Sequence, residues 1–156
     1  MTQGNVEIVR CATEPHNGED MVPIIRQFVE GVTDWSDTDA VVAAFASDPN
    51  IRPMHAEVEW DASAIGVFGV ARGLYELSLW WREWVETWES YVYEMREYRD
   101  LGDWVLTAND ARARGREGIP VEAPVFQIWN VRDGKIVIVR LFATEAQALK
   151  AAGPAQ

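Results

Sequence analysis

The chain has a single cysteine, Cys11, and only two histidines, His16 and His55, in 156 residues. One thiol excludes an intrachain disulfide, and no Cys or His pair has the spacing of a zinc site. Long apolar runs are missing too. No stretch approaches the length of a membrane span. Residues 1–20 carry Glu7, Arg10, Glu14, Glu19 and Asp20, and hold no continuous apolar segment of the kind a signal peptide needs. The expected compartment is the cytoplasm. Positive charge is scarce: 14 Lys and Arg stand against 25 Asp and Glu, a formal net charge of −11. Phosphate backbones and anionic membranes are both held by Lys and Arg, so neither nucleic acid nor a membrane is expected as a partner. With no ligand cluster and no Gly-rich phosphate loop, neither metal nor organic cofactor is expected.

What the chain has instead is tryptophan, eight residues within a composition that is 48% hydrophobic. Indole combines a large apolar area with one N–H that needs a partner, so it favours walls and interfaces. The length fits a single domain, 1–156, with a core that needs no staple. Asn5 is placed to cap a first helix carrying Val6, Ile8, Val9 and Ala12, ended by Pro15 and Gly18. A second helix is predicted over 21–32, with Pro23 near its start. Ser36 and Asp39 resemble a capping box opening a third helix over 38–46, which Asp48-Pro49 stops. Strict alternation over 56–61 predicts a half-buried strand with Val58 and Trp60 on its apolar face. A loop holding Gly66 and Gly69 follows. Leu74, Leu77, Trp81, Trp84, Trp88 and Tyr91 step by three and four, with Glu76, Arg82, Glu83, Glu86 and Glu89 opposite, which predicts one helix over 74–91.

From residue 92 the period changes to two. Strands are predicted near 92–99, 103–114, 120–131 and 135–143, with turns at 101–103, 115–120 and Asp133-Gly134. The last is a hairpin signal, because a type I′ turn needs positive φ twice. Thr144 with Gln147 caps a final helix over 145–152, closed by Gly153-Pro154. Helices, one strand, a long helix and an antiparallel meander make an α+β fold, with helices packed on one face of a curved sheet.

This order, with several motifs, resembles the SnoaL-like polyketide-cyclase family of the NTF2-like superfamily. The residues that carry the likeness are 5–10, Val58-Glu59-Trp60, Arg72-Gly73, the Trp81/Trp84/Trp88-Glu89-Ser90-Tyr91 segment and 100–103. Residues 112–118, Val121-Glu122, Ile128-Trp129, 132–136 and the final helix complete it. Residues 30–56 look longer than the family pattern and are a candidate lid. The resemblance implies a cone around an apolar pocket, often dimerising through the outer sheet face, and so a homodimer. Limonene-epoxide-hydrolase-like members use an Asp–Arg–Asp trio on the concave face. Carried over, these positions become Asp110, Ala108 and Leu141. The base of ketosteroid-isomerase-like members falls at Trp60. Neither mechanism transfers whole, and shared fold is weak evidence about chemistry.

Candidate residues follow from their chemistry. Asp110, with Leu106 and Ala108 on its strand face, is the first candidate for a desolvated general base; its plainer role is a pair with Arg112. Arg112, leading the alternating row Arg112, Arg114 and Arg116, either holds a ligand oxygen or belongs to a solvated ion-pair row. Trp60, Trp84, Trp88, Trp104 and Trp129 either line a flat-walled pocket or are core. Trp80, at the stripe's edge, suggests a dimer surface. His55 is a second catalytic candidate or an exposed turn residue, His16 a weaker one. Gln127, polar among apolar positions, is a ligand hydrogen-bonding candidate.

Three readings result. The first is a small-molecule enzyme acting on an apolar, oxygen-bearing substrate by acid–base chemistry, through cyclisation, isomerisation, dehydration or epoxide hydration. The second is a binding protein for a hydrophobic molecule in the same pocket, without turnover. The third is an interaction protein whose pocket is filled by its own side chains.

Overall fold

The computed structural model describes residues 2–66 and 69–153. Along them run α1 (Thr2–Thr13), α2 (Met21–Gly31), α3 (Thr38–Ala46), β1 (Met54–Asp61), β2 (Val70–Arg72) and α4 (Gly73–Val85). Then come β3 (Trp88–Asp100), β4 (Trp104–Gly115), β5 (Pro120–Arg132), β6 (Lys135–Phe142) and α5 (Glu145–Ala152). The strands form one sheet in the order β2-β1-β6-β5-β4-β3. β1 and β6 pair in parallel and every other neighbour is antiparallel. This is the expected α+β architecture.

Side-chain parity on the long strands decides what each face meets. Val105 and Trp129 point into the main core with Val9, Ile25, Phe45 and Leu77, under the N-terminal helices and α4. Leu106 and Ile128 point the other way, to a smaller cluster covered by Ala148 of α5. Register shifts in β3 at Trp88/Ser90 and Met95/Glu97 bend the sheet around the inner face.

Local chemistry sets the element ends. Thr144 caps α5 by accepting from the Gln147 N–H at 3.2 Å, as its position predicts; Pro154 lies outside the described residues. The Asp133-Gly134 turn has φ of 52° and 78°, the two positive values its hairpin requires. Other boundaries differ from the sequence reading. Asn5 lies inside α1, which begins at Thr2. The cap of α3 is Asp37, accepting from Ala40 N–H, while Ser36 hydrogen-bonds to Asp34. The long helix ends at Val85 rather than reaching 91. There Glu86 N–H tightens onto the Glu83 carbonyl at 3.1 Å and the Thr87 hydroxyl donates to the Trp84 carbonyl at 2.7 Å. Residues 88–93 are then rich in aromatic and β-branched types that favour a strand. Trp88 and Tyr91 keep the helical spacing by coincidence. β2 arises within a stretch expected to be loop, by pairing with the end of β1.

β3 is an edge strand, and exposed edges invite unwanted pairing. The turn between α1 and α2 covers this one. Gly18 N–H donates to the Tyr93 carbonyl at 2.8 Å, Met95 N–H to Asn17 Oδ1 at 2.8 Å, and Tyr91 N–H to Asp20 Oδ1 at 3.1 Å. The same Asp20 oxygen caps α2 through Val22 N–H at 3.0 Å. One carboxylate therefore satisfies two backbone donors on two elements. Asp20→Ala is expected to cost about 2 kcal/mol, one cap plus one orphaned donor, and Asp20→Asn much less. Urea denaturation checks this, and a variant with alanine as stable as the parent would disprove the clamp.

Candidate functional site

Between the inner face of the sheet and α1, α2 and α4 lies a cavity of ≈ 560 Å³. One side is aromatic. Trp80 and Trp84 come from α4, Trp60 from β1, and Trp88 and Tyr91 from β3. The rings touch in sequence: Trp60 to Trp80 at 5.6 Å, Trp80 stacked on Trp84 at 6.0 Å, and Trp84 edge-on to Tyr91 at 4.5 Å. Offset and edge-on contacts of this kind hold the rings in fixed orientations. The indole N–H groups of Trp60 and Trp88 are buried without a hydrogen-bond partner.

The other side is lined by neutral polar groups. Inward positions of β4 bring Asn109, with Ala111 and Ala113 leaving room above it, and β5 brings Gln127 beside Trp129. Trp129 Nε1 donates to Thr107 Oγ1 at 2.8 Å, and that hydroxyl donates to Gln127 Oε1 at 2.8 Å. Asn109 Nδ2 donates to the same Gln127 oxygen at 3.2 Å. From the helical side, Asn50 Nδ2 donates to the Tyr93 hydroxyl at 3.1 Å, and Tyr93 donates to the Thr13 carbonyl. Asn50 is itself anchored, its N–H bound to Asp48 Oδ1 at 2.8 Å, with His16 Nε2 on the other Asp48 oxygen at 2.9 Å. Asn50 Oδ1 and Asn109 Oδ1 are buried without partners.

Among the described residues the cavity lining holds no Asp, Glu, Lys, Arg or His. Its titratable side chains are Tyr91 and Tyr93. Burial pushes the Tyr91 phenol up to about 12, and burial likewise raises that of Tyr93. Both are neutral phenols across the physiological range.

The cavity thus gathers Trp60, Trp84, Trp88, Trp129 and Gln127, five of the residues expected at a pocket. Four others lie elsewhere. Asp110 does share a strand face with Leu106 and Ala108, as expected, but that face is the outer one. It is half-exposed and paired with Arg96 Nε at 2.9 Å, not desolvated in the pocket. Arg112, on the same face, pairs with Glu94, while Arg114 reaches the Gly118 carbonyl and Arg116 Glu86. Arg112 and Arg116 form solvent-exposed ion pairs, and Arg114 binds a backbone carbonyl. Trp104 also faces outward, with the Arg140 guanidinium 5.4 Å from its ring. His55 is exposed at the start of β1, where its Nδ1 accepts from Glu57 N–H at 3.0 Å. Trp80 is the reverse case: expected on a dimer surface, it is 8% exposed and lines the cavity.

Sequence reasoning missed Asn50, Tyr93 and Asn109. A usable signal existed for the last. Arg112 and Arg114 continue the phase of Asp110, and a row of charges belongs to solvent. The opposite phase, Val105, Thr107, Asn109, Ala111 and Ala113, is uncharged and small, as a pocket wall must be. The concave-face positions two apart are therefore Thr107 and Asn109 rather than Ala108 and Asp110. No comparable signal marks Asn50, which meets the cavity only through the loop after α3.

No protein-family model matches the sequence, and no curated protein matches it. Solved structures do match. An NTF2-like protein from Burkholderia thailandensis E264 has 23% identity and a TM-score of 0.56, over 83% of this chain and 98% of that one. A protein described as a SnoaL-like polyketide cyclase, from Jannaschia sp. CCS1, has 15% identity and a TM-score of 0.52, over 83% and 92%. TerC, co-crystallised with polyporic acid, has 16% identity and a TM-score of 0.56, over 79% and 93%. The chain has the NTF2-like fold, shared with SnoaL-like proteins as its sequence resemblance implied. Among the described residues no helix is long and apolar enough to cross a membrane, and no group of three His, Cys, Asp or Glu is placed to hold a metal ion.

Proposed function

We propose that this protein binds an uncharged, flat, largely aromatic small molecule with oxygen functions in its inner cavity, without acid–base turnover. The observation that carries this reading is the lining itself: aromatic rings and neutral amides, with no carboxylate, imidazole or cation among the described residues. Apolar walls with a few placed polar groups are the usual make-up of a small-molecule site. A base catalyst must reach the proton it removes, and Asp110 and His55, on which the acid–base reading depends, sit outside the cavity. The volume left open between the walls argues against a purely structural role, which predicts a cavity filled by the protein's own side chains. TerC, of the same fold, was crystallised with polyporic acid.

The test is a panel of uncharged aromatic phenols, ketones and epoxides, followed by native mass spectrometry and tryptophan fluorescence. Panel members are expected to be retained unchanged. Affinity is expected to stay flat between about pH 5 and pH 9, because among the described residues the lining holds no carboxylate or imidazole, and Asp110→Asn should shift it less than about twofold. Conversion of a panel member that vanishes in Asp110→Asn, or an affinity that titrates near neutrality, would restore the enzyme.

A further inference from the structure

The two polar relays at the cavity wall each end on an oxygen, and their direction is set by groups that have no choice. The Trp129 indole only donates. It takes one lone pair of the Thr107 oxygen, and the buried Thr107 proton is given to Gln127, which presents its Oε1. Asn109 must then donate to that oxygen through Nδ2, which leaves its Oδ1 free. The reverse amide orientation would leave the proton of Thr107, a residue with 0% exposure, without this acceptor. The second relay is anchored from the opposite end. The Thr13 carbonyl only accepts, so Tyr93 spends its proton there and takes the Asn50 Nδ2–H on its own oxygen. Asn50 Oδ1 is again what remains.

Both asparagines are more than nine-tenths buried, 5% and 4% exposed, and both line the cavity. Tyr93, which holds Asn50, pairs with Ala111 in the register, and Met95 pairs with Asn109, so Tyr93 and Asn109 are diagonal neighbours on adjacent strands. Such diagonals are separated by roughly 7–8 Å. The cavity wall therefore carries two buried asparagines whose Oδ1 atoms have no partner, together with aromatic faces, and among the described residues no cation.

Resting on the binding reading above, we infer that the ligand is a hydrogen-bond donor to these atoms: an aromatic diol, with one hydroxyl directed to Asn109 Oδ1 and one to Asn50 Oδ1, its hydrocarbon part against Trp60, Trp80 and Trp84. A ligand bearing only carbonyls or ethers at that position would set oxygen against oxygen. A carboxylate would do so with full charge.

A matched series tests this: trans-3,5-dihydroxystilbene, its monomethyl ether and trans-3,5-dimethoxystilbene, titrated by tryptophan fluorescence and calorimetry. Methylation keeps the rings and the oxygens and removes only the donors. Each methylation is expected to weaken binding about tenfold, the loss of one hydrogen bond to a buried acceptor. In Asn109→Leu the whole span from diol to dimethoxy compound should shrink from about a hundredfold to about tenfold. Wild-type protein that binds the dimethoxy compound as tightly as the diol would overturn the donor assignment and leave the cavity reading standing. Failure to bind any of the three would overturn both.

Discussion

Asn109→Asp is expected to destabilise the protein by about 3–4 kcal/mol at pH 8 and by much less at pH 4. The side chain is 4% exposed and faces Gln127 Oε1 at 3.2 Å. A carboxylate in that place sets charge among buried neutral groups and an oxygen against an oxygen, whereas a protonated acid can donate to Gln127. Burial of this kind raises a carboxyl pKa by some 2–3 units, each worth about 1.36 kcal/mol. The sign follows from linkage. With the folded pKa raised above the unfolded value of about 3.9, the folded state holds its proton longer than the unfolded chain. The variant matches the parent most closely below the unfolded pKa. It loses stability as pH rises through the interval up to the folded pKa, then stays level. Urea denaturation of both proteins at the two pH values measures it. An equal difference at both would mean that position 109 is hydrated, and the neutral-cavity reading would fall with it. The neighbouring Asp110→Asn change should barely register, since that carboxylate is half-exposed in a surface pair. Two adjacent residues with such different responses are a direct measure of which β4 phase faces inward.

That phase is where the sequence was hardest to read. Alternation establishes that a strand has two faces, and at β4 both faces are partly apolar. Leu106 packs beneath α5 and Val105 against the main core, so the apolar content of one turn of the pleat does not choose between them. The outer face looked like a pocket wall because its covering helix lies more than thirty residues further on. Charges at 110, 112 and 114 would have chosen, read as a row rather than singly as candidate catalysts. The fold was far more legible. Its signals are local: the Asp133-Gly134 turn, the Thr144 cap and the period change near residue 90 each need only a few neighbouring residues. Trp88 and Tyr91 fell in the wrong element because a three-and-four spacing persists across the end of α4, where a single threonine turn decides the matter. Asn50 was invisible for a different reason: its role depends on Tyr93 and Thr13, contacts from distant parts of the chain.

The tryptophans pose the remaining question, since a ring that packs in the core and a ring that receives a ligand have the same sequence signature. Trp84 can separate the two roles. It sits in the last turn of α4, partly buried, stacked on Trp80, edge-on to Tyr91 and 6.3 Å from Trp88. It therefore ties the helix to the first residues of β3 at the place where the chain changes from one to the other. Trp84→Ala should cost about 2–3 kcal/mol of stability, below the range for a fully buried indole because part of this ring already meets solvent. Affinity for trans-3,5-dihydroxystilbene should fall about a hundredfold, since the change removes one aromatic wall and frees Tyr91 from its edge-on contact. Trp84→Phe should recover most of the stability, because a phenyl ring still meets Tyr91, but only part of the affinity, because it covers less of the ligand. Denaturation midpoints and calorimetric titration of the same three proteins give both numbers. Parallel recovery of stability and affinity would make Trp84 a packing residue whose loss reaches the ligand only through the fold. Affinity that lags behind stability would place the indole against the ligand itself.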